Sequence, residues 1–248
     1  MFDPKVDAYM AGAVDAMPIG KVNVREALKA IADQQALLVK RSMTAQPYQL
    51  LALRRYLRAG GAKLLANWPW TVLEQSTTYS QVITALKQAA IVTKANFERS
   101  NPGYVLGYTG ARSLERQAVL WIDNDTVVQA ALKLMNSART ELATATYLAA
   151  PTEASAKQFS KFLSDYAFSK KEEPSNAAPG LSDHGQMKAV DFYIDQHGKR
   201  VADIRTALID SQWVSTGFAQ KLKAATVGTN LEGPLKTPYE PWHYSIPF

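Results

Sequence analysis

The chain has 248 residues, 47% of them hydrophobic and 20% charged, a formal net charge of +6 and no cysteine. It is long enough for one large domain or two small ones, and disulfides and thiolate metal sites are excluded, so a metal here must use His, Asp or Glu. The basic balance suits anionic partners, but the Lys and Arg residues are dispersed with no nucleic-acid-binding pattern, and no apolar stretch approaches the ~20 residues that span a bilayer.

The first hundred residues read as helical. Asp3, Asp7 and Asp15 interrupt the start, which therefore does not read as an export leader of the standard kind. Val24, Leu28, Ile31 and Leu38 fall on one face of a stretch that Asn23 can cap. Leu50, Leu53 and Leu57 mark a second helix, expected to end at Gly60-Gly61. Asn67-Trp68-Pro69-Trp70 is expected to pack between helices, with a sugar-stacking platform as the sharper alternative. Val82, Leu86, Ala89 and Phe97 mark a third helix, ending near Asn101-Pro102-Gly103.

Tyr104–Tyr108 has strand character. One long helical pattern follows, through Val119, Ile122, Val127, Ala131, Leu134 and Met135. After Pro151, Phe159, Phe162 and Tyr166 define another helix. Ser169–Gly180, polar with two prolines, is expected to be an exposed loop. Ala189–Ile194 reads as a strand, Asp195–Gly198 as a turn, and Arg200–Ile204 as its return. A helix around Phe218–Ala225 and a short strand at His243–Ile246 close the chain. Helices come first and short strands gather late, without regular alternation, which predicts an α+β fold.

The three histidines are His184, His197 and His243. His197 belongs to the expected turn and reads as solvated. His184 is followed seven residues later by Asp191, and His243 is preceded three residues earlier by Glu240. A catalytic zinc site needs three protein ligands and an open position. His184, Asp191 and His243 would supply two imidazoles and a carboxylate, with Glu240 left over beside the metal; for the His184 segment alone, a surface or hydrogen-bonded histidine is an equal alternative. Alternation along the strand puts Asp191 on the face opposite Val190 and Phe192. Trp242 is expected to pack behind the pair and hold it rigid.

The wording of these segments adds to the spacing. Ser182–Asp191 resembles the Ser-x-His-x-x-Gly-x-Ala-x-Asp motif of the D-alanyl-D-alanine carboxypeptidase family of zinc peptidases, and Glu240-Pro241-Trp242-His243 its Glu-x-Trp-His motif. Gly107–Gln117 is similar to that family's Gly-Tyr-Arg-Ser-x-x-x-Gln segment, with Arg112, Ser113 and Gln117 in register. Two positions depart: Met187 replaces the motif glycine, and Ala111 stands where tyrosine is usual.

The resemblance covers roughly residues 104–248. It implies a Hedgehog/DD-peptidase-like domain over 101–248, a small antiparallel sheet with helices, preceded by a helical region over 1–100. It implies Zn2+ held by His184, Asp191 and His243, with Glu240 as catalytic base. Arg112 would stabilise the oxyanion or grip a substrate carboxylate, and Tyr108, Ser182 and Gln117 would contact substrate. The implied substrate is a peptidoglycan stem peptide containing D-amino acids, which places the activity at the cell wall. The expected route there is phage lysis, dedicated secretion or a removed leader. The competing readings are a Hedgehog-like binding module with structural zinc and a wall-binding protein without catalysis.

Overall fold

The structure is a computed structural model that describes residues 2–65, 78–109, 112–184, 188–236 and 239–247. Trp68, Trp70, Ala111, Gly185 and Met187 lie outside the described residues. The order is α1 (Pro4–Asp15), α2 (Lys21–Ala32), α3 (Gln35–Lys40), α4 (Gln46–Leu65), α5 (Thr78–Ser100), β1 (Tyr104–Thr109), α6 (Leu114–Asp123), α7 (Asp125–Leu142) and α8 (Glu153–Asp165). There follow β2 (Ala189–Gln196), β3 (Lys199–Ala202), an irregular helical stretch over 206–214, α9 (Phe218–Ala225), β4 (Leu235–Lys236), β5 (Tyr239–Glu240) and β6 (His243–Ser245). Helices with small antiparallel sheets make this an α+β fold.

The chain forms two compact units, each assembled from two stretches: Met1–Val72 with Ser113–Gly185, and Leu73–Arg112 with Gln186–Phe248. They interleave in sequence, so the division read between residues 100 and 101 coincides with none of the three boundaries.

The first unit is helical among its described residues and is built round α4, which packs on α2, α7 and α8. Pro4 begins α1 and the Asp3 carboxylate accepts the N–H groups of Lys5 and Val6, at 3.1 and 3.3 Å, satisfying two donors that the first turn leaves open. Tyr9, Tyr147 and Phe159 meet edge to face at the junction of α1 and α8. Three sequence expectations are corrected here. Helix α2 starts at Lys21 behind Gly20, which takes φ +72°, so Asn23 lies inside it and Leu38 belongs to the separate α3. Helix α4 runs through Gly60-Gly61 to Leu65. Each glycine costs a helix about 1 kcal/mol, which the buried Leu50, Leu51, Leu53, Arg54 and Tyr56 on the same helix outweigh by tertiary packing. The long pattern after residue 113 is two helices, because Asn124 leaves helical geometry and its side-chain oxygen caps α7 through Thr126 and Val127 at 2.9 and 3.2 Å.

In the second unit β1 runs antiparallel along one side of β2, while β6 and β3 pair with successive halves of the other side. Leu106, Val190, Phe192, Ile194 and Tyr244 turn to a core completed by α5, α9, Trp213 and Trp242. The alternate face carries Val105, Gly107, Thr109, Asp191 and Tyr193. His197, at φ +50°, and Gly198, at φ +74°, form the exposed turn between β2 and β3.

Candidate metal centre

Strand register sets the centre. Thr109, Asp191 and His243 are direct partners across β1, β2 and β6, so they form one row and their side chains share a face. Val190 and Phe192 point to the core, as alternation requires, and Asp191 to the row. The Thr109 hydroxyl accepts the Asp191 N–H at 3.3 Å, tying β1 to β2 at this point. Trp242 is buried against Trp213, with ring centroids 5.9 Å apart, and anchors the strand entry to His243.

The two Asp191 oxygens have different partners. Oδ1 stands 3.1 Å from His243 Nδ1, and Oδ2 accepts from Arg112 Nη2 at 3.2 Å. Glu240 Oε2 lies 3.8 Å from the same His243 nitrogen. Asp191 and His243 are buried, whereas Glu240 and Arg112 keep about a quarter of their side chains exposed, 27% and 29%. Burial pushes the Glu240 carboxyl above the usual carboxylate range. Nearby His243 and Arg112 oppose that shift and Asp191 adds to it.

His184, Asp191 and His243 form a buried group whose ligand atoms all lie within 4.8 Å of one another. Ligands at ordinary zinc distances around a tetrahedral ion stand roughly 3.4 Å apart. The 3.1 Å between Asp191 Oδ1 and His243 Nδ1 is close to that spacing. Two imidazoles and one carboxylate are a borderline N/O donor set, which a divalent metal accepts without thiolate. The residues therefore fit a metal ion, and the group can hold one.

Family models, curated proteins and solved structures give no match to this chain.

Other candidates lie elsewhere. Tyr108 is on the core side of β1, its ring edge-on to Phe192 at 6.1 Å, away from the row that holds Asp191. Ser182 is half-buried two residues before His184, and Gln117 is buried on α6 one turn after the capping Ser113. His197 is exposed in its turn. Thr109 is the contributor that sequence reasoning missed. A threonine ending a strand carries no distinctive signal until the register puts it beside Asp191.

The segment leading to His184 corrects the expectation of an exposed loop. Ser169–Lys171 are exposed, but Pro174 and Ala178–Gly180 are buried. The reason lies on α4, whose Arg55 and Tyr56 donate to the Pro174 and Pro179 carbonyls. A polar segment can be buried when its carbonyls find donors.

Proposed function

We propose that this chain is a zinc-dependent peptidase of the D-alanyl-D-alanine carboxypeptidase type, its second unit carrying a sheet of the Hedgehog/DD-peptidase kind. The observation that carries the reading is the buried His184–Asp191–His243 group with the half-buried Glu240 carboxylate 3.8 Å from one of its members. Bound zinc would act as a Lewis acid on the scissile carbonyl and lower the pKa of the attacking water to about 7. Glu240 takes that water's proton and returns it to the departing amine, and burial makes it a stronger base than an exposed carboxylate. Arg112, held by Asp191 at the edge of the group, supplies positive charge for the oxyanion or for a substrate carboxylate. A structural zinc module has no use for a base in this position, which favours catalysis over a binding role.

The substrate class comes from the motif resemblance and the basic charge: peptidoglycan stem peptides containing D-amino acids, met at the cell wall. Mass spectrometry of purified peptidoglycan fragments digested with zinc-loaded protein tests this. Stem-peptide cleavage is expected, with Glu240→Gln keeping its metal but losing ~10²-fold or more in turnover. Intact fragments after exhaustive digestion would overturn the reading.

A further inference from the structure

We propose that Tyr56 is a positioning residue for His184, acting through a turn at Pro179-Gly180. The inference rests on the reading of His184 as a metal ligand. The Leu181 N–H donates to the Ala178 carbonyl at 3.0 Å, and Gly180 takes φ +93°. Proline at the second position and a positive-φ glycine at the third make this a type II turn. The Pro179 carbonyl belongs to the central peptide unit, whose orientation distinguishes type II from type I. It accepts the Tyr56 hydroxyl at 2.8 Å, and both partners are buried.

The same stretch of α4 fixes the path upstream. Arg54 donates through Nε and Nη2 to the Tyr166 carbonyl, at 2.9 and 2.6 Å, and its guanidinium carbon lies 4.6 Å from the Phe168 ring centroid. Arg55 donates to the Pro174 carbonyl at 3.1 Å and pairs with Glu173 at 3.0 Å. Tyr56 is the last of these anchors before the histidine. Only two residues, Ser182 and Asp183, separate the end of the turn from His184, a reach of roughly 10 Å even when extended. So short a lever passes a displacement of the turn directly to the imidazole. A metal ligand must be held within about 0.5 Å of its working position, so loosening the turn loosens the site. Tyr56 engages a turn carbonyl and so sets the chain path that leads to the histidine.

Tyr56→Phe removes the hydroxyl and keeps the buried ring. Gly180→Ala attacks the same turn independently, since a side chain is strained at this φ. Diethyl pyrocarbonate modification, mapped by peptide mass spectrometry on metal-free protein, reads His184 against His197 and His243, with circular dichroism verifying the fold. Slow modification of His184 is expected in the wild type and several-fold faster modification in both variants, with the other two histidines unchanged. Zinc affinity by chelator competition should fall roughly 10-fold or more, the usual cost of losing support behind a ligand. A general structural role would lower melting temperature and leave the relative reactivity of His184 alone. Unchanged His184 reactivity in both variants overturns the proposal. A wild type that binds no zinc overturns the metal reading instead, and the two failures are separable because the reactivity is read without metal.

Discussion

Gly107→Ala tests the packing of the sheet face next to the metal row. A Cβ at this position would stand 2.2 Å from Tyr193 Cε2 and Cζ and 2.6 Å from its hydroxyl. Ordinary contact begins at 3.4 Å, so the ring must retreat by about 1.2 Å. A ring tip is normally free to move, but the Arg200 guanidinium carbon lies 3.5 Å from the ring centroid. Arg200 is itself held by Asp195 at 2.6 Å and Asp203 at 3.2 Å. Overpacking of this kind costs about 1–3 kcal/mol, and replacing a strand glycine by alanine returns about 0.5–1 kcal/mol of backbone entropy. The net expectation is a loss of up to about 2.5 kcal/mol in urea unfolding. In a Tyr193→Ala background the obstruction is gone, so the same change should stabilise by about 0.5–1 kcal/mol. The double-mutant cycle should therefore show a coupling of about 1–3 kcal/mol. Equal destabilisation in both backgrounds would mean that the Tyr193 ring is not what the new Cβ meets.

Asn124→Ala should cost about 1 kcal/mol by removing the cap that separates α6 from α7, measured by the shift in denaturation midpoint. Replacement by Ser should recover most of it. Glu172 should show a pH effect of defined sign. Hydrogen bonds from Lys133, then from the Ser169 hydroxyl and N–H, hold its carboxyl down to about 2. A depressed folded-state value means stability that is full above the unfolded carboxyl range and fades as pH falls through about 4 towards 2. Denaturant curves across that window should be steeper in pH for the wild type than for Glu172→Gln.

Much of this was legible in the sequence because the signals were local. Alternation placed Asp191 opposite Val190 and Phe192, and the short strands at 104–109, 189–196 and 243–245 were readable from composition and turn residues. His184, Asp191 and His243 stood out because only three histidines exist and two have acids nearby. What escaped was set by partners distant in sequence. Gly60-Gly61 reads as a stop signal, yet packing carries α4 past it. Asn124 interrupts an unbroken apolar pattern by one side-chain cap. The segment after Ser169 looks like exposed loop because its donors, Arg55 and Tyr56, sit more than a hundred residues earlier, on α4. The interleaving of the two units is equally invisible to a linear reading.

His184, Asp191 and His243 are proposed to bind one metal ion together. Calorimetric titration of zinc into chelator-stripped protein tests it most directly, for the wild type, His184→Ala and His243→Ala. One tight zinc per chain is predicted for the wild type, and its loss in each variant. Stoichiometric tight zinc retained by both variants would mean that the two histidines do not hold it.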